Sequence, residues 1–145
     1  MLPLQKKLLT CPAMPTSSLE RVILRRVEEG VEDTIQVLSD ITKPSVLVPG
    51  NGESAFELET AVDLAGWKHA RVLHGTGCSE AGIDIWGVGG GIPVTPFGDW
   101  SYDFPEEEAE QLLAGCKSGG VLVVHSPPLD TVDHDSSGLI RGSQA

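Results

Sequence analysis

From Leu19 onward the apolar residues Val22, Ile23, Val27, Val31, Ile35, Leu38 and Ile41 recur at steps of three and four, with Glu and Arg filling the intervals. That stripe predicts one long amphipathic helix, weakened at Gly30 and ended by Lys43-Pro44. Val46-Leu47-Val48 follows without alternation, the pattern of a short strand buried on both faces. A second helix is expected from Glu53 or Ser54 to about Leu64, with Phe56, Leu58, Val62 and Leu64 available for packing. Arg71 to His74 and Gly82 to Trp86 read as two further strands, the latter alternating apolar and polar residues. Gly87 to Tyr102 is a long loop rich in Gly and Pro that carries Phe97, Trp100 and Tyr102, and loops of this length inside a compact domain tend to be lids or binding segments. A third helix is expected to start around Pro105, where Glu106 to Glu108 favour the positive helix end. Gly119-Gly120 then releases the apolar strand Val121 to Val124, which delivers His125. The remainder is loop to about Gly142, with Ser143 placed as an N-cap.

This order of helix and strand predicts an α/β fold whose strand-end loops share a rim. Pro12 and Pro15 mark a linker, so residues 1–18 are expected to be a flexible segment and 19–145 a single domain. The length of 145 residues allows one core, and 40% hydrophobic with 21% charged residues is ordinary for a soluble protein. A formal net charge of -11 argues against wrapping nucleic acid or docking on anionic membranes, both of which need Lys and Arg. Cys11, Cys78 and Cys116 form no Cys-x-x-Cys pair, so neither a disulfide framework nor a structural zinc site is indicated. The N-terminal apolar stretch is too short and interrupted for a signal core or a membrane span, and the expected location is cytoplasmic.

Several chemistries fail on spacing. Gly87 to Gly91 follows a strand, but Ile92 stands where a dinucleotide loop needs its last glycine, and Pro93 and Pro96 replace the phosphate-binding helix. No Gly-Lys-Ser/Thr phosphate loop and no Gly-x-Ser-x-Gly elbow occurs. Ser126 beside His125 makes a poor triad, because adjacent residues at a strand end point to opposite faces. Asn51, in a Gly-Asn-Gly turn after a buried strand, and His125, directly after the apolar run, remain. A carboxamide oxygen and a neutral imidazole are both metal ligands. Each also has a plain reading: Asn tolerates a left-handed turn, and a strand-end His is commonly just hydrogen-bonded. His69 and His74 read as surface or turn residues, and His134 among Asp133 and Asp135 as part of a cluster that either binds a cation weakly or is simply a solvated loop.

VLVPGN followed by an acid, a short strand ending in LHG, GIDIWGVGGGIPVTPFG, an acidic helix and VLVVHSPPLDTVDHDSSGLIRGSQA together resemble the calcineurin-like metallophosphoesterases, in their compact prokaryotic branch. The resemblance runs from about Lys43 to the C-terminus. It implies a β-sandwich flanked by helices in α-β-β-α layers, here a partial one. It also implies paired divalent ions (Mn, Fe, Zn or similar) about 3.5–4 Å apart that activate water to hydrolyse a phosphomonoester or phosphodiester. The family's Gly-Asn-His-Asp motif falls on Gly50, Asn51, Gly52 and Glu53, and its later strand-end histidine on His125. The resemblance therefore assigns Asn51 and His125 as metal ligands.

The departures are informative. Gly52 stands where the family has a histidine that assists the leaving group or the phosphate, so no catalytic residue is assigned. The opening Asp-x-His, the following Gly-Asp and the closing Gly-His-x-His are not recognisable in their places. The implied protein is an incomplete or divergent copy, truncated relative to the family, whose intact form would take a phosphoester small molecule. Phe97, Trp100 and Tyr102 would either shape a substrate's approach or pack in the core. The alternative reading is an inactive remnant serving as a binding or interaction module, and the uncovered strand edges of an incomplete sandwich invite self-association.

Overall fold

The computed structural model describes Leu9–Thr10 and residues 30–145. The elements run β1 (Leu9–Thr10), α1 (Val31–Leu38), β2 (Ser45–Leu47), α2 (Ala55–Leu64), β3 (Ala70–Val72), β4 (Thr76–Glu80), β5 (Ile83–Val88), α3 (Glu106–Leu113) and β6 (Val121–Val124). The chain is mixed α/β. The remainder of the expected flexible segment 1–18 and the first half of the expected helix from Leu19 lie outside the described residues. Of that helix, α1 is the described part. It starts at Gly30, whose extended backbone (ψ -175°) makes it the N-cap where the sequence suggested a weak interior position.

The described strands form two sheets of three, ordered β1-β2-β3 and β4-β5-β6. In the first, β2 and β3 are parallel, with Val46 opposite Arg71, and α2 is the crossover between them. In the second, β5 and β6 are parallel, with Gly87 opposite Val123, and α3 lies between them in sequence. Both sheets therefore carry a parallel pair, and loops leaving the C-terminal ends of such pairs are the usual place for a site.

The period-two alternation of strand side chains decides what each face meets. Leu47 of β2 joins Ile35, Leu38, Leu58, Ala61, Val62 and Trp67 in a cluster under α1 and α2. Its neighbour Val46 points the other way and joins Leu73, Ile85 of β5 and Val123 of β6. On the far side of the second sheet, Val88, Trp86 and Val124 pack with Ala109, Leu112 and Leu113 of α3. Helices thus cover one face of each sheet, and the other two faces meet. Gly87 makes that meeting possible, since a Cβ there would lie 2.4 Å from the Leu73 Cβ. Each outer layer is pinned by a tryptophan: Trp67 Nε1–H donates to the Ile41 carbonyl and Trp86 Nε1–H to the Leu112 carbonyl, both at 2.8 Å.

Helix α2 begins with a capping box in which the Ser54 hydroxyl accepts from the Glu57 N–H and the Glu57 carboxylate accepts from the Ser54 N–H. Leu58 and Val62 are buried as expected, but Phe56 (76% exposed) and Leu64 (75%) are not. Only positions near 58, 61 and 62 share the sheet-facing side of a 3.6-residue period, and Phe56 lies about 200° round the helix from Leu58. Strand β4 is a departure from the expected order. It pairs antiparallel with β5 through the two-residue turn Ala81-Gly82, at φ 50° and 81°. Positive φ at both central positions is the hairpin geometry that matches strand twist. Among the described residues, no helix is long and apolar enough to cross a membrane.

Candidate functional site

Strand β2 ends at Leu47, and the chain turns through the buried Pro49 and Gly50 to Asn51. The buried Glu53 closes this turn, its Oε1 accepting the Gly50 N–H at 2.9 Å. The residue that the resemblance aligns with an acid thus braces the loop. Among the described non-glycine residues, positive φ occurs at Ala81, Asp130 and Val132, and Asn51 is not one of them. Tolerance of a left-handed backbone therefore does not account for an asparagine at this position, and its half-buried side chain is left to matter. Gly52 is exposed.

The loop leaving β5 is laid directly on the loop leaving β2. Gly90 N–H donates to the Pro49 carbonyl at 3.0 Å, and a Cβ on Gly89 would sit 2.4 Å from Pro49 atoms, including that oxygen. Further on, Tyr102 N–H donates to the Asn51 carbonyl at 2.9 Å, and a Cβ on Gly91 would come within 3.7 Å of the Asn51 Cβ. The loop leaving β6 is clamped to the same segment. His125 N–H donates to the Val88 carbonyl at 3.2 Å, while Ser126 Oγ donates to the Gly90 carbonyl at 3.1 Å and accepts the Ile92 N–H at 2.8 Å. The glycine run that fails as a dinucleotide loop is therefore the middle layer of a rim, with Asn51 on one side and His125 on the other.

His74 belongs to the same rim: it lies in the bend after β3, as expected of a turn residue, but it is half-buried and hydrogen-bonded rather than on the open surface. It leaves β3 half-buried, its Nδ1 accepts the Gly89 N–H at 3.2 Å, and its ring lies 5.5 Å from Tyr102 and 5.2 Å from Phe104. Burial lowers its pKa below the usual histidine value, against the opposing pull of the Glu108 carboxylate. An accepting Nδ1 places the proton of the neutral ring on Nε2. The sequence held a signal for it, since RVLH ends a strand in a histidine just as VLVVH does. His69 is exposed, as expected.

The long loop is built by its own side chains. The Thr95 hydroxyl donates to Asp103 Oδ2, which also accepts the Thr95 N–H at 3.0 Å, and these bonds hold the Asp103 carboxyl below its usual range. Phe97 and Trp100 stack on one another at 5.7 Å and stay exposed, so core packing is not their role. Tyr102 instead packs edge-on against Phe104 at 4.7 Å. Burial raises its phenol pKa, a hydrogen bond from the Ala55 backbone opposes that rise, and the Glu108 and Glu59 carboxylates add to it.

Beyond the rim, Asp133 corrects the expectation of a solvated loop. It is 3% exposed, its Oδ2 accepts the Asp130 N–H at 3.0 Å, and its Oδ1 lies 3.3 Å from His134 Nδ1 without hydrogen-bond geometry. Asp135 ties the following turn together, accepting from Ser137, Leu139 and Arg141, which draws its carboxyl far below the ordinary range. Ser143 begins no helix, which corrects its reading as an N-cap: it forms a parallel bridge with Pro128, and its Oγ accepts the Ala145 N–H at 3.2 Å and donates to Glu106 Oε2 at 2.7 Å. Cys78 and Cys116 are free thiols, and Cys11 lies outside the described residues. Among the described residues, no group of three or more His, Cys, Asp or Glu could hold a metal ion.

No family model and no curated protein matches the chain. Among solved structures, a crystal structure whose title states no function matches with a TM-score of 0.61 at 18% identity, over 79% of this chain and 49% of the other. The chain spans about half the length of that structure, and the likeness is one of fold.

Proposed function

We propose that this chain is a metallophosphoesterase-type domain, related to enzymes that hydrolyse phosphomonoesters or phosphodiesters with metal-activated water. The observation that carries the reading is the junction of three strand-end loops. Pro49 to Asn51, Gly89 to Ile92 and His125-Ser126 are hydrogen-bonded into one rim, and the two residues singled out for chemistry flank the middle loop. Two sheets meeting face to face, with helices outside them, agree with the layering this reading requires. A cytoplasmic protein acting on a small phosphoester is the setting it implies.

The donor set does not fit the family's pair of ions. Asn51 and His125 are neutral ligands, a dinuclear site needs carboxylates to offset its charge, and no such cluster accompanies them among the described residues. No hydrolytic step is therefore assigned to this chain's own residues. The same observation, with Gly52 exposed where a proton donor belongs, favours a second reading in which the rim binds a ligand without turning it over.

A manganese titration with a chromogenic phosphodiester separates the two. Hydrolysis that rises with manganese and disappears in His125→Ala assigns catalysis to the chain and overturns the ligand count. No turnover, together with phosphate-induced shifts of the Asn51 and His125 resonances, supports the binding reading. Shifts confined to other parts of the surface would remove both readings.

A further inference from the structure

Among the described residues, strand β6 is the outer strand of its sheet, and one side of its main chain is open to another strand. The bond from His125 N–H to the Val88 carbonyl, with Val124 opposite Val88, fixes which main-chain groups face β5. In a parallel pair of this register, Val121, Val123 and His125 bond inward, whereas the N–H and C=O of Leu122 and Val124 point away from β5. Among the described residues, no backbone hydrogen bond from another segment reaches Leu122 or Val124. Val121 is 42% and Leu122 44% exposed. Edge strands are ordinarily guarded by Lys, Pro, a bulge or a covering element, and β6 carries none of the first three.

We infer that the occupant of this edge is β6 of a second copy of the chain, paired antiparallel about a two-fold axis at Val123. The spacing is self-complementary. Leu122 of one copy faces Val124 of the other, and each such pair exchanges both main-chain bonds, while the two Val123 residues form the central non-bonded pair. The exposed Leu122 then packs across the junction against Val124 on the same face. Charge selects the surface. A copy carrying -11 repels its twin over most approaches, yet residues 111–129 contain no Asp or Glu, and Asp84 on the neighbouring strand is paired with Lys117 at 3.0 Å. This inference does not depend on the phosphoesterase reading, because the edge is defined by register alone.

Sedimentation velocity across a concentration series tests it, with amide hydrogen exchange on the same samples. A monomer–dimer equilibrium is expected whose dimer fraction rises with added sodium chloride, because salt screens the net repulsion. Leu122→Lys raises the dissociation constant at least about tenfold, while Phe56→Lys, on the exposed side of α2, leaves it unchanged. In the unmodified chain, protection of the Leu122 and Val124 amides increases with protein concentration and that of Val123 does not, which decides the matter even if Leu122→Lys folds poorly. A chain that stays monomeric to about 1 mM overturns the inference. So does a dimer in which exchange at Leu122 and Val124 is independent of concentration.

Discussion

Replacing Gly89 with alanine should pull the rim apart from its centre. The new methyl would stand 2.4 Å from Pro49 Cδ, Cγ and carbonyl oxygen. Pro49 is fully buried, and the oxygen belongs to backbone, so neither side yields without moving a loop. Overpacking of this kind costs roughly 1–3 kcal/mol. The displacement also strains two hydrogen bonds, Gly90 N–H to Pro49 and Gly89 N–H to His74 Nδ1, each worth roughly 0.5–1.5 kcal/mol net. A loss of roughly 2–6 kcal/mol is expected, a large part of the roughly 5–15 kcal/mol that holds a typical domain. Urea unfolding reads it as a shift in midpoint at constant slope, and imidazole nitrogen shifts report whether His74 Nδ1 still accepts. Gly82→Asn is the comparison: nothing lies within 4 Å of its Cβ position, and asparagine tolerates the φ of +81°, so less than about 1 kcal/mol is expected. A Gly89→Ala loss under about 1 kcal/mol, with His74 unchanged, would refute the packing argument for the rim.

Four further outcomes follow from local interactions. His74 should titrate below the ordinary histidine value; because the unfolded chain then binds more protons, its contribution to stability is complete above about pH 6.5 and falls as the pH drops toward the folded pKa. His74→Phe should flatten stability against pH in that window, as read by urea midpoints. Ser54→Ala removes the α2 cap and should cost about 1 kcal/mol, measured by thermal unfolding. Glu106→Gln should weaken the hold on Gln144 and Ala145, whose N–H groups its carboxylate accepts, seen as faster amide exchange at those two residues while α3 stays protected. Asp135→Asn should speed exchange at Ser137 and Leu139 without altering the rim resonances.

How legible each part was depends on how far it follows from one segment alone. Val46-Leu47-Val48 betrayed its burial because each face of β2 meets a different apolar cluster, so no alternation was needed. Strand β4 was hidden because Thr76 to Glu80 has little apolar content and its hairpin turns on Ala81-Gly82, a weaker turn signal than Asn-Gly. Its identity is supplied by β5, against which Gly77 lies so closely that a Cβ would strike the Trp86 ring. At the rim, Asn51 and His125 stood out by position, and His74 sat at the end of a similar strand but became visible only when Gly89 was seen to donate to it. The roles of Gly89 and Ser126 are tertiary: one is small because Pro49 passes beneath it, the other joins two loops more than thirty residues apart in sequence. No local pattern encodes such contacts. The burial of Asp133 was hidden in the same way, by charged neighbours that suggested solvent.

The most direct test of the rim uses manganese as a paramagnetic probe in nitrogen-resolved NMR of the unmodified chain. The account predicts that the Asn51 side-chain amide and the His125 imidazole broaden together at the lowest manganese concentrations, and that the broadening of the Asn51 amide vanishes in His125→Ala. Early broadening confined to Asp130–Asp135 or Glu106–Glu108, with Asn51 and His125 left sharp, would contradict it.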